Sequence, residues 1–177
     1  CSWHKPQHDM QLGRKDDAPG WAVYEACREG GGIVATAHEH SYSRTYLMSH
    51  FESKRVVHEQ DHLEIGPRQT FAFVSGLGGD TVRPQQRDGY WWASKYSATQ
   101  GATHGALFCS FDGRFAECRF EDVAGAVPDQ FTLETTNASA DASQEVAPLP
   151  DGPAAAPPPA LAADDGMPSV GPPLTGN

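Results

Sequence analysis

The chain has 177 residues, 38% of them hydrophobic and 20% charged, which is enough for about one domain. Its formal net charge of -10 argues against nucleic acid as a partner, since duplex binding needs a basic footprint. No apolar run approaches the roughly 20 residues that span a bilayer, so no transmembrane segment is expected.

The chain opens on "CSWHKPQ". Ser2-Trp3 reads as the end of a strand, and Pro6 forces a turn soon after His4. No charged n-region and apolar h-region are visible, and Cys1-Ser2-Trp3 reads as the start of a fragment or of a processed chain. "DDAPGWAVYEACREGGG" predicts a helix from Pro19 to Glu29, with Asp16 and Asp17 near its positive end. Trp21, Tyr24 and Cys27 form one apolar side at spacings of three, and Gly30-Gly31-Gly32 ends the helix. Ile33 to Ala37 is then a short apolar strand of the kind buried in a parallel sheet. Residues 46–69 read as a polar loop or weak hairpin. Residues 70–76, "TFAFVSG", form a second strand with a Gly-rich exit, and "YWWASKYS" suggests a short helix or an aromatic loop. Residues 104–111 and 114–120 predict a hairpin turning near Asp112-Gly113.

From Glu134 onward there are six acidic residues, no Lys or Arg and no aromatic residue, and nine of the 14 prolines. Such a segment buries too little apolar surface to offset its ordering entropy. The expected organisation is therefore an ordered portion over 1–133 and a disordered acidic Pro/Ala-rich tail over 134–177. Asn137-Ala138-Ser139 is a glycosylation sequon, meaningful in a secreted protein.

Four cysteines allow three pairings. A four-residue hairpin loop sets Cys109 opposite Cys118, whereas a two-residue Asp-Gly turn offsets them diagonally. Cys1 could pair with Cys27. Bridged cysteines favour an extracytoplasmic protein; buried free thiols are the alternative.

The chemistry concentrates in "IVATAHEHSYSRT", residues 33–45. In an extended segment, residues i and i+2 point the same way, so His38 and His40 are expected on one side just past a strand. Neutral imidazole is the commonest metal ligand among side chains. His4, also at a strand end, makes a convergent cluster of three. His8, His50, His58, His62 and His104 follow no ligand spacing. Tyr90-Trp91-Trp92 is read as packing rather than a substrate rim. No P-loop, Gly-x-Ser-x-Gly or dinucleotide fingerprint is present.

"SWHKPQ", a helix, a Gly turn and then "GGIVATAHEHSYSRT" resemble the C-terminal half of a calcineurin-like metallophosphoesterase of the purple-acid-phosphatase-like branch. His4 with Pro6 matches one metal-binding block. His38 and His40, followed by Tyr42 and Arg44, match the Gly-His-x-His block, with Ala37 in place of its Gly. "FVSGLGGD" resembles the strand exit that follows. The likeness covers about residues 1–131. It implies an α/β fold: the C-terminal part of a metallophosphoesterase β-sandwich flanked by helices. By resemblance, His4 and His38 serve one metal and His40 another, in a centre of two divalent or trivalent ions (Fe, Zn or Mn). The implied reaction is hydrolysis of a small phosphate ester by metal-activated hydroxide, with phosphomonoesters expected. Arg44 is a candidate phosphate contact, although pairing with Glu39 or an acidic loop residue is favoured. Tyr42 is a candidate either for a supporting hydrogen bond to the site or for packing. The family's Asp-x-His, Gly-Asp and Gly-Asn-His blocks have no match here, so the chain alone is expected to be inactive. The rival reading is a non-catalytic extracellular interaction module on the same scaffold.

Overall fold

The computed structural model describes residues 1–136. Asn137 and nearly all of the expected disordered tail lie outside the described residues. The compositional break at 134 falls inside the last strand, which continues to Thr135.

The helix α1 spans Trp21–Glu29 and buries Tyr24 and Cys27 as the spacing predicts. Its N-cap is Gly20, so Asp16 and Asp17 lie before the helix and are free for other partners. Gly31 follows with φ +70, and a Cβ there would sit 2.6 Å from the backbone of Gly66. Only glycine fits that combination of handedness and close approach.

β1 (Val34–Thr36) is the predicted buried strand, and it runs parallel to β6 (Ala72–Ser75) with Val34 opposite Ala72. On its other side the first residues run alongside it, through a parallel bridge between Ser2 and Ala35. β2 (Tyr42–Thr45) lies antiparallel to β6 and to β7 (Trp92–Tyr96), giving a mixed sheet ordered β1-β6-β2-β7. The second sheet is ordered β5-β10-β9-β8, from β5 (His62–Ile65), β8 (Gly105–Asp112), β9 (Phe115–Asp122) and β10 (Asp129–Thr135). β3 (Leu47–His50) and β4 (Arg55–His58) make a separate hairpin.

The two four-stranded sheets face each other. Phe71 beside β6 packs with Leu63, Ala116, Cys118, Phe131 and Leu133 of the second sheet. β9 alternates strictly, burying Ala116, Cys118, Phe120 and Asp122, the period-2 pattern of a sheet with one solvated face. α1 covers the opposite face of the first sheet, where Tyr24 and Cys27 meet Val34, Met48, Phe51 and Ala72. The fold is the expected α/β sandwich, with one α-helix among the described residues.

Several local expectations are corrected. "YWWASKYS" contains β7, not a helix; its aromatic bulk packs Trp92 and Tyr96 into the interior. Residues 46–69 do hold a hairpin, β3 with β4, and add the strand β5, because Leu47, Met48 and Leu63 find apolar partners across the fold. Tyr42–Thr45, given no element in the sequence reading, forms a strand buried at every position. The β8–β9 turn is Gly113-Arg114, one residue later than Asp112-Gly113, with Gly113 at φ +57. That register sets Cys109 directly opposite Cys118, and the two are bridged. Cys1 is bridged to Cys27, tying the first extended residues to α1.

Candidate metal centre

His4 and His38 leave neighbouring extended segments at the same end. Trp3 donates its backbone N–H to Ala35, and Ala37 donates to His4, so residues 1–4 and β1 advance in step. The two rings meet edge to face with centroids 4.7 Å apart. Nε2 of His4 and Nδ1 of His38 are 3.0 Å apart.

Residues 38–41 bend rather than extend, and His38 takes a left-handed φ of 51. The alternation argument for His38 and His40 therefore does not apply. Ala37, standing where the family pattern has Gly, needs no positive φ; the unusual conformation sits one residue later. The ring of His40 turns to other partners: Nδ1 is 2.9 Å from the carbonyl of Thr81 and 3.8 Å from Asp80. The structure thus brings His4 and His38 together and gives His40 a separate position on the same loop.

The bend is held against the fold by close packing. A Cβ on Gly76 would lie 1.9 Å from the carbonyl oxygen of Glu39, so the strand exit after β6 needs glycine there. Glu39, between the histidines, is 1% exposed, and neither carboxylate oxygen accepts a hydrogen bond. Lys15 and Arg83 flank it at 3.8 and 3.7 Å. Lys15 also donates to the carbonyl of His38. With Arg14 these cations border a cavity of about 410 Å³ beside the loop. Burial, and next the charge of Lys15, lower the pKa of His38, which favours the neutral, metal-ligating imidazole.

Asp17, read from the sequence only as an acid near the start of the helix, lies behind His38: its Oδ2 is 3.4 Å from His38 Nε2. No sequence signal marks it, because the contact joins the loop before α1 to the loop after β1.

Arg44 is corrected as a phosphate contact. It is fully buried, and its guanidinium is held by both oxygens of Asp129 and by Asp61. Asp61, between β4 and β5, is an acidic loop residue of the kind expected; Glu39, the other expected partner, is not engaged by Arg44. Tyr42 donates to the same Asp129 at 2.6 Å and stacks on Phe120. Both residues therefore join the two sheets and do not face the histidines. His62, in β5, bonds Thr132, and His58 lies in β4.

Nitrogens that share one ion sit about 3 Å apart, since each lies about 2.0–2.1 Å from it. The separation of His4 Nε2 and His38 Nδ1 fits two adjacent positions on one metal. Among the described residues no group of three or more His, Cys, Asp or Glu converges for an ion.

No protein-family model and no curated protein matches the chain. Among solved structures, the purple acid phosphatase PPD1 isolated from yellow lupin (Lupinus luteus) seeds is similar, with 19% identity and a TM-score of 0.50. The match covers 71% of this chain and 20% of that one, so the chain spans about a fifth of that enzyme's length. At this identity the likeness is one of fold: the sandwich is built like part of a purple acid phosphatase.

Proposed function

We propose that this chain contributes to the centre of a dinuclear-metal phosphoesterase acting on small phosphate esters, with phosphomonoesters as the expected class. The observation that carries the reading is the facing pair His4 Nε2 and His38 Nδ1, 3.0 Å apart at the ends of adjacent extended segments. The fold likeness to a purple acid phosphatase supports it. His4 and His38 would hold one ion and His40 the other, with Fe, Zn or Mn as candidates. The bound ions would supply Lewis acidity and neutralise phosphate charge.

The chain's own residues prepare the site in three ways. Burial keeps the His38 imidazole neutral. The bond from His40 Nδ1 to Thr81 leaves Nε2 of that ring for a ligand. Arg14, Lys15 and Arg83 provide the local positive charge that an anionic substrate needs on an acidic protein. We propose that the remaining ligands lie outside this chain, which would then be inactive alone. Two disulfides fit an extracytoplasmic setting, and among the described residues no helix is long and apolar enough to cross a membrane.

The test uses the full-length protein, purified without chelator. Bound Fe, Zn or Mn and hydrolysis of p-nitrophenyl phosphate are expected, with both lost in a His38→Ala variant that still folds. A metal-free protein indifferent to that change would end the reading.

A second reading has its own observation. Phe108, Phe111 and Phe115 are 53, 66 and 55% exposed on the disulfide-bridged β8–β9 hairpin, an apolar display suited to an interaction module. Metal-free full-length protein that binds another protein through this hairpin would favour it.

A further inference from the structure

We propose that Asp17 is a positioning residue for His38: it holds the proton on Nε2, so that the Nδ1 lone pair is presented toward His4. The inference rests on the reading of His4 and His38 as metal ligands, and it concerns a residue that neither sequence spacing nor the fold likeness assigns.

Three observations converge. Nε2 of His38 faces Oδ2 of Asp17 at 3.4 Å, while Nδ1 faces His4 at 3.0 Å, so the two ring nitrogens have opposite tasks. Oδ2 of Asp17 is buried and accepts no hydrogen bond, whereas Oδ1 is 3.5 Å from Lys5. A buried carboxylate oxygen without a donor is costly, and the His38 N–H is the group positioned to satisfy it. The separation is slightly beyond ordinary hydrogen-bond length; such bonds are often long until the ligand arrives. Finally, Asp17 is itself held, since its carbonyl accepts from the backbone N–H of His8.

The consequence for the pair follows from counting protons. A neutral imidazole carries one N–H. If Asp17 keeps that of His38 on Nε2, the proton between the rings belongs to Nε2 of His4. An entering ion then requires only His4, which is exposed, to move its proton to its other nitrogen. A carboxylate behind a ligating histidine also raises its basicity and fixes its plane, and loss of such a partner costs about 10–100-fold in metal affinity.

The experiment is nitrogen-15 NMR of the histidine side chains in this chain, without metal and then titrated with zinc alone. Wild type should show His38 protonated on Nε2, with a slowly exchanging Nε2–H resonance, and zinc should bind through Nδ1. Asp17→Ala and Asp17→Asn should weaken zinc binding about 10–100-fold, and Asp17→Ala should lose the protected resonance. Asp17→Glu should recover part of the affinity. Asp16→Asn, which removes the same charge one residue away at a 92% exposed side chain, should leave both unchanged. An Nδ1–H tautomer of His38 in the wild type overturns the inference, and that measurement stands even if a variant fails to fold. Undiminished affinity in folded Asp17→Ala and Asp17→Asn also overturns it. If wild type binds no zinc but His38 keeps a protected Nε2–H that Asp17→Ala abolishes, Asp17 keeps its role and the phosphoesterase reading is what fails.

Discussion

Arg44 heads the fully buried side chains of the described residues by volume. Burial alone works against its charge, yet the bonds it donates to Asp129 outweigh that and raise its pKa above the ordinary guanidinium value. Its guanidinium carbon also lies 4.2 Å from the Phe131 ring centroid. A buried pair of this kind is weak evidence for net stability, but breaking it strands a charge. Asp129→Ala should therefore cost about 3–5 kcal/mol in urea unfolding, and it also removes the acceptor of Tyr42. A loss under about 1 kcal/mol would show that the pair is well solvated. Arg44→Lys should not substitute, because an ammonium cannot match two carboxylate oxygens at once. The sequence favours an internal partner for Arg44, Glu39 or an acidic loop residue, and Asp61 is one such residue, but nothing in it names Asp129. That main partner lies 85 positions away, and no local pattern encodes that distance.

At the level of elements, legibility followed the strength of the local pattern. α1 was readable because its apolar residues repeat at helical spacing and glycines end it. β1 was readable as an apolar run with no room for a helix. β7 was not, since Tyr-Trp-Trp suits several conformations until Tyr42 and Ser43 of β2 pair with it. The β8–β9 hairpin was foreseen, but its register turned on one residue of the turn. With Gly113-Arg114 at the tip, Cys109 and Cys118 face each other across the strands. Their bridge closes a short loop, a sequence separation of 9. The chain-entropy account predicts that a Cys109→Ala/Cys118→Ala double variant loses about 2–3 kcal/mol. Thermal unfolding monitored by calorimetry would measure this. An unchanged transition would mean that the hairpin persists in the denatured chain.

At the scale of the whole molecule, several carboxylates among the described residues are kept charged by donors. Asp122 accepts from Tyr96, Thr103 and the backbone N–H groups of Ala124 and Ala126. The Tyr96 hydroxyl foremost, then Thr103, brings its pKa down to about 2 from an ordinary 3.8. Asp9, Glu25 and Asp88 are lowered as well. A carboxyl with a depressed folded pKa adds stability above its unfolded value, and that stability is lost as pH falls through the folded one. The urea midpoint should hold above about pH 4 and fall toward about pH 2. Asp122→Asn should lower it near pH 5 and flatten that fall, whereas parallel curves would exclude Asp122 as a contributor. By itself the sequence determined the apolar strands and helix, the strand-end placement of His4, His38 and His40, and the break in composition near residue 134, because each depends on residues close in the chain. Only the tertiary structure decided that His4 meets His38 while His40 turns to Thr81, that Asp17 stands behind His38, and that Arg44 belongs to Asp129. Those outcomes depend on sheet order and on which loops share one end of the sandwich, and they join residues far apart in the chain.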